Sequence, residues 1–282
     1  MDYTINVRGR LMDLGEPQVM GILNVTPDSF YAGSRKQTEQ EIVERANQIF
    51  SEGGTVIDVG AFSTRPGAAE VSETEEMERL RFALGIVRRE LPDSVISVDT
   101  FRPDVARMAV EEFGADIIND VSEGGLTGIV NTPLDQTGEI YPAMFRMVAQ
   151  LRVPYILMSV QPTLREMLLG FSKKVQQLRD LGVKDIILDP GFGFGKSLEQ
   201  NYQLMSELEK LQVMELPLLV GISRKSMIYK LLEFTANEAL NGTTALNAIA
   251  LMKGASILRV HDVKEAVECV KIIKLLNGQI VR

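Results

Sequence analysis

Cysteine is almost absent from this chain, with Cys269 alone in 282 residues. A single thiol excludes an internal disulfide framework and a cysteine-based zinc site. Cys269 lies in an apolar helical pattern, so its expected role is packing. No apolar run approaches the ~20 residues that a membrane span needs. The opening M-D-Y-T-I-N-V-R has no signal-peptide core. No Lys/Arg run is long enough to follow a phosphate backbone, and the net charge is −8. These absences argue against nucleic acid and membrane as partners. They leave a soluble, cytoplasmic protein that handles small molecules as the expectation. A small anion can still be bound by a few local cations, because net charge says little about one pocket. There is also no linker and no internal repeat.

What the chain does have is apolar content: 45% of residues, against 24% charged. That is enough for a large core. Short β-rich runs alternate with amphipathic stretches from end to end. The strand candidates are 19–25, 56–61, 95–100, 116–121, 155–160, 185–190, 218–222 and 257–261. Helical patterns fall at 39–51, 73–90, 103–113, 143–150, 165–181, 198–211, 225–232 with 236–253, and 263–276. Pro103 suits a first helical turn, where its missing N–H is harmless. The strands are mostly apolar along their length, as expected when both faces are buried. Alternation of β and α implies a parallel sheet. Eight units at this length favour an α/β fold of the (β/α)8 barrel type, also called a TIM barrel, with an open doubly wound sheet as the alternative. The chain is expected to form a single domain over 1–282. Residues 1–15 make a short N-terminal extension, read as a hairpin of 3–7 and 10–14 turning at Arg8-Gly9.

In a barrel, chemistry collects at the C-terminal strand ends. The first strand breaks from an apolar run into Asn24, Thr26, Pro27, Asp28 and Ser29. The second runs into Ser63-Thr64-Arg65-Pro66-Gly67. The third ends in Asp99 and Thr100, and the fourth in Asn119 and Asp120. The fifth ends at Met158 and Ser159. The sixth gives Asp189, then G-F-G-F-G and Lys196; the seventh gives Ser223, Arg224, Lys225 and Ser226; the eighth gives Arg259 and His261. Taken singly, each has a plain structural reading. Asp99 or Asp120 would cap the next helix. The glycines would make a tight turn, and Arg224 with Lys225 would be a solvated face. Together around one mouth they offer two chemistries. Asp99, Asn119, Asp189 and Lys225 match the amide and amino edges of a flat heterocycle. Arg65, Arg259 and His261 with Asn24 suit a phosphate-type anion.

The runs G-I-L-N-V-T-P-D-S-F, S-T-R-P-G-A, S-V-D-T, I-I-N-D-V-S, I-L-D-P-G-F-G-F-G-K, G-I-S-R-K-S and R-V-H-D-V resemble those of the dihydropteroate synthases, in that family's order. The resemblance covers about residue 18 to the end. It implies condensation of 6-hydroxymethyl-7,8-dihydropterin diphosphate with para-aminobenzoate, giving dihydropteroate and pyrophosphate in folate biosynthesis. It also implies a barrel, a homodimer and Mg2+. By resemblance, Asp99, Asn119, Asp189 and Lys225 hold the pterin. Asn24, Arg259 and His261 hold the diphosphate, with Mg2+ near Asn24. Thr64, Arg65 and Pro66 help form the aminobenzoate site, bordered by Phe192, Lys225 and Ser226. Asp99, Lys225, Arg259 and His261 carry the catalytic roles, and no protein nucleophile is needed.

Two places depart from the family pattern. The acidic side chain expected in the first loop is replaced by Ala32, which bears on how that loop closes. The histidine expected after the fifth strand is replaced by Ser159, and 122–141 looks expanded. These changes bear on kinetics and on affinity for sulfonamides, which resemble para-aminobenzoate. The alternative readings are three. One is a pterin-binding barrel of the methyltetrahydrofolate–corrinoid methyltransferase type, which needs no diphosphate site. Another is a non-catalytic paralogue, and the last a phosphate-binding barrel isomerase.

Overall fold

A computed structural model describes residues 3–25, 35–62, 71–125 and 139–278. The chain opens with a hairpin of β1 (Thr4–Val7) and β2 (Arg10–Asp13). Then follow β3 (Gln18–Asn24), α1 (Arg35–Ser51), β4 (Val56–Gly60), α2 (Glu73–Glu90), β5 (Val95–Asp99) and α3 (Pro103–Phe113). Next come β6 (Ile117–Asp120), α4 (Ala143–Leu151), β7 (Tyr155–Met158), α5 (Leu164–Asp180), β8 (Ile186–Asp189) and α6 (Leu198–Ser206). The last elements are β9 (Leu218–Val220), α7 (Ser226–Tyr229), α8 (Leu240–Met252), β10 (Ala255–Val260) and α9 (Val263–Leu276). The eight strands from β3 to β10 are parallel and close in sequence order, β10 pairing β3. Closure decides between the two α/β architectures: this is a (β/α)8 barrel, and the open sheet is excluded.

Two helical expectations break up. The 198–211 pattern ends as α-helix at Ser206, and Leu208–Met214 continues as a 3-10 turn that buries Leu208 and Leu211. Of the paired patterns 225–232 and 236–253, the first is α-helix only over Ser226–Tyr229, and the second opens with a 3-10 turn at Ala236–Glu238 before α8. Arg224 holds the start of that stretch in a left-handed conformation, its guanidinium forked onto Asp262 and its Nη1 on two carbonyls.

Strand side chains alternate between the two sides of the barrel wall. The outward set packs under the helices and forms the larger core, including Leu23, Ile57, Val59, Ile96, Val98, Ile118, Leu157 and Leu188. Approach there is close. A Cβ on Gly21 would stand 2.6 Å from Ile49 of α1, so glycine is what lets that helix seat on β3. The inward set is layered. Its lower layer is apolar: Met20, Val56, Ile117, Ile156, Ile187, Leu219 and Ile257. The hairpin adds Ile5, Val7 and Leu14 to this cluster and closes the barrel floor. Its turn falls at Arg8 and Gly9, both with positive φ, as a two-residue hairpin turn requires. Arg8 then clamps the hairpin to the barrel through Asp116 at 2.7 Å and the carbonyls of Asp93 and Ser94.

Candidate active site

Two residues up five of the eight strands, the inward layer changes character. Where the lower layer has Val56, Val95, Ile117, Ile187 and Ile257, the upper one has Asp58, Ser97, Asn119, Asp189 and Arg259. Asp58, Ser97, Asn119 and Asp189 are all buried. Asn24, Gly60 and Asp99 form the rim on three adjacent strands, in register with one another. The apolar floor excludes water from below, and the polar layer faces the open end.

Arg259 is the hub. Its Nε donates to Asp58 at 2.6 Å and its Nη2 to Asp99 at 2.7 Å. Burial works against its charge, but Asp58 and Asp99 outweigh that and raise its pKa above the ordinary value. Among the described residues Nη1 has no partner, so part of the fork stays available. Asp99 is pushed up to about 7, by burial first, with Arg259 opposing and Asp58, Glu76 and Asp120 adding to the rise. Asn119 donates from Nδ2 to Asp58 at 3.3 Å.

Across the mouth, Asp189 accepts from the Gly191 N–H at 2.7 Å. Burial raises its pKa, and Lys225 pulls it back. Lys225 is lowered to about 8 by burial, with Asp189 opposing. Its Nζ donates to the Phe192 carbonyl and lies 4.5 Å from the centre of the Phe194 ring. The sequence expectation for Phe192 needs correcting here. Its ring is fully buried in the helix-side core, so only its carbonyl meets Lys225, and the ring beside that cation is Phe194. The G-F-G-F-G turn sends the two rings different ways. Ser226, half-buried, begins α7 just after Lys225.

His261 follows the end of β10. Its backbone N–H donates to Ser223 Oγ at 3.1 Å, and its Nδ1 lies 3.0 Å from the same oxygen. A hydroxyl has one proton and two lone pairs, so Ser223 Oγ pairs with Nδ1 in either tautomer; where it donates to Nδ1, Nε2 carries the ring proton. Burial, then Arg259, lowers the ring to about 4, so it is neutral at pH 7. Arg45 of α1 fixes the segment by donating to the His261 carbonyl at 2.6 Å and the Ile22 carbonyl at 3.1 Å.

Asn24, Asp99, Asn119, Asp189, Phe192, Lys225, Ser226, Arg259 and His261 thus fall at one end of the barrel. Thr64, Arg65, Pro66 and Ala32 lie outside the described residues, as does most of the 122–141 loop. Asp120 takes the plain role. It accepts from the Ser122 N–H and hydroxyl, the Gly124 N–H and the Tyr155 hydroxyl, and so organises the turn after β6. Lys196 is also structural, donating to the carbonyls of Ser159, Gly191 and Phe194.

Asp58, Ser97 and Arg45 were not foreseen. Asp58 had a usable signal. A carboxylate inside V-I-D-V-G is costly to bury unless paired, so it implied a cation inside the barrel. Among the described residues no cluster of three or more His, Cys, Asp or Glu could hold a metal ion.

The chain was compared with known proteins. The model of a family described as pterin binding enzyme matches residues 20–261. Dihydropteroate synthase of Escherichia coli K12 is 40% identical over 269 residues, covering 95% of this chain and 94% of that protein. A structure of the Yersinia pestis dihydropteroate synthase in complex with a sulfonamide drug aligns with a TM-score of 0.84 at 37% identity, covering 98% of this chain and 99% of that one. One of the Xanthomonas albilineans dihydropteroate synthase with 4-aminobenzoic acid gives a TM-score of 0.84 at 33% identity, covering 99% and 100%.

Proposed function

The chain belongs to the pterin-binding enzyme family, among its dihydropteroate synthases, and from that premise we propose how its residues share the reaction. It joins 6-hydroxymethyl-7,8-dihydropterin diphosphate to para-aminobenzoate, giving dihydropteroate and pyrophosphate for folate synthesis. The observation that carries our assignment is the buried polar layer above an apolar floor, with Asn119 Oδ1 left without a partner among the described residues. A flat heterocycle with N–H and carbonyl edges completes such a layer. The diphosphate-binding set favours the synthase over the corrinoid methyltransferase alternative.

In this reading Asn119 and Asp189 accept from the pterin N–H groups, and Lys225 donates to its acceptor edge. The free Arg259 Nη1 and the His261 Nε2–H donate to the diphosphate. The C–O bond to pyrophosphate breaks first, leaving a cation delocalised into the electron-rich pterin. Asp99 stabilises that cation, while Arg259 and His261 stabilise the departing anion. The para-aminobenzoate nitrogen then attacks the methylene carbon and passes its proton to the released pyrophosphate. Ser226 and the Phe192 carbonyl border the aminobenzoate site, to which the family resemblance also assigns Thr64, Arg65 and Pro66, and exclusion of water there protects the cation.

Magnesium fits the rim through oxygen donors alone. Asn24 is exposed, and its Oδ1 would lie 3.6 Å from a Cβ built on Gly60, beside Asp99. One protein carbonyl plus substrate phosphate oxygens and water is a common magnesium arrangement. The ion would neutralise charge on the diphosphate.

We propose that the chain works as one domain and as a homodimer in the cytoplasm. Exposed Ile249 and Met252 on α8, and Ile272, Leu275 and Leu276 on α9, support a second copy packing there, because α8 and α9 are neighbours.

The test is pyrophosphate release from the two substrates with magnesium. The expected result is turnover that Lys225→Ala or Asp99→Ala reduces by three or more orders of magnitude. Turnover that survives either change would remove that residue from the assignment.

A further inference from the structure

Asp58 has no part in the steps above, yet it bonds two of the groups that carry them. It is wholly buried, in the middle of β4, with apolar residues on either side. Its Oδ2 accepts from both Arg259 Nε and Asn119 Nδ2. The pairing with Arg259 accounts for a charge at this depth. The contact with Asn119 has a second consequence. An Asn amide has one donor end and one acceptor end, while an ionised carboxylate only accepts. Asp58 therefore selects the Nδ2 end, which turns Oδ1 the other way. That Oδ1 is buried and without a partner among the described residues, as are Asp58 Oδ1 and Ser97 Oγ on the neighbouring strands. Three orphaned polar atoms on adjacent strands mark where a ligand's polar edge belongs. Arg259 is treated alike: Asp58 occupies Nε, Asp99 occupies Nη2, and Nη1 remains.

We propose that Asp58 is a positioning residue for the pterin diphosphate, fixing the Asn119 amide so that Oδ1 is the acceptor, and fixing the Arg259 fork so that Nη1 is left for the anion. The proposal rests on the pterin-site reading given above. One carboxylate thereby sets both halves of the same substrate, the ring through Asn119 and the diphosphate through Arg259. An amide at position 58 would fill the same space but could donate or accept. It would not choose an orientation for Asn119, and it would leave Arg259 with Asp99 alone.

The experiment compares Asp58→Asn and Asn119→Ala with the unaltered enzyme, measuring KM for each substrate, kcat, and binding of 6-hydroxymethylpterin. For Asp58→Asn we expect the KM for pterin diphosphate to rise roughly tenfold or more, the loss of a charged hydrogen bond. The aminobenzoate KM should stay within about twofold, a selectivity that general loosening of the barrel would not give. The double variant should lose less than the sum of the singles. If Asn119→Ala weakens pterin binding while Asp58→Asn changes neither KM nor binding, the proposal is overturned and the site reading stands. If Asn119→Ala itself has no effect, the site reading fails and the proposal with it. Should Asp58→Asn not fold, the unaltered enzyme decides. The Asn119 side-chain NH2, assigned by its disappearance in Asn119→Ala, should exchange slowly with solvent both in the free enzyme and when 6-hydroxymethylpterin is bound. An NH2 that exchanges freely, or that moves onto the ligand, would overturn the proposal.

Discussion

Asp99 and Lys225 are both moved toward neutrality by burial, to about 7 and about 8. The pterin reading needs Asp99 ionised and Lys225 charged. On the acid side, activity should fall as Asp99 takes up a proton; on the alkaline side, as Lys225 loses one. The expected outcome is a narrow bell in kcat/KM with its optimum between these values, checked by a pH–rate profile in a constant-ionic-strength buffer. A flat profile down to about pH 5.5 would contradict the role given to Asp99. The same shift has an opposite sign for stability. An unfolded Asp ionises near 3.8, so from about pH 4 to about 7 the folded state alone keeps the proton. Stability contributed by this residue therefore falls as pH rises through that window, while its chemistry improves. The strand-end residues were legible because each stands where an apolar run stops. Asp58 was legible only as a buried carboxylate in need of a cation; that the cation is Arg259, 201 positions away, follows from the closing of the barrel.

Among the elements, the turn after β8 shows how the mouth keeps its shape. Gly191 has a positive φ, and a Cβ there would stand 2.1 Å from the Ser159 carbonyl. Lys196 then bonds that carbonyl and two from its own turn, tying the ends of β7 and β8 together. Ser159, where the family resemblance led to a histidine, contributes its backbone oxygen to this clasp. Lys196→Met should leave three carbonyls short of a donor and destabilise the protein by roughly 2–3 kcal/mol, less than three full penalties because water reaches a half-buried turn. Urea unfolding measures this, and an unchanged midpoint would show the clasp to be idle. Element order and type were readable from periodicity. The splits at Glu207 and before Leu240 were not, because a 3-10 turn keeps nearly the same apolar spacing as the helix it interrupts.

For the whole molecule, five of the eleven exposed large apolar residues among the described residues lie on α8 and α9. Ile272→Glu should place a charge in the centre of the proposed subunit contact. Sedimentation velocity should then show monomers where the unaltered chain sediments as a dimer, with kcat per chain largely kept because the mouth lies elsewhere. Sedimentation unchanged by Ile272→Glu would move the contact to another face. Alternation of strand and helix foretold the barrel, and the resemblance foretold the chemistry. Which helix faces stay bare follows from packing angles that one sequence does not contain.

The hairpin under the barrel has a bearing on traffic. With Ile5, Val7 and Leu14 plugging the lower end, the well formed by the described residues opens at the upper end. Whatever binds deepest must enter before anything seated above it and cannot leave past it. On the proposed assignment the pterin diphosphate is the deeper ligand, so it is expected to bind before para-aminobenzoate, and initial-rate kinetics with a product inhibitor test that order.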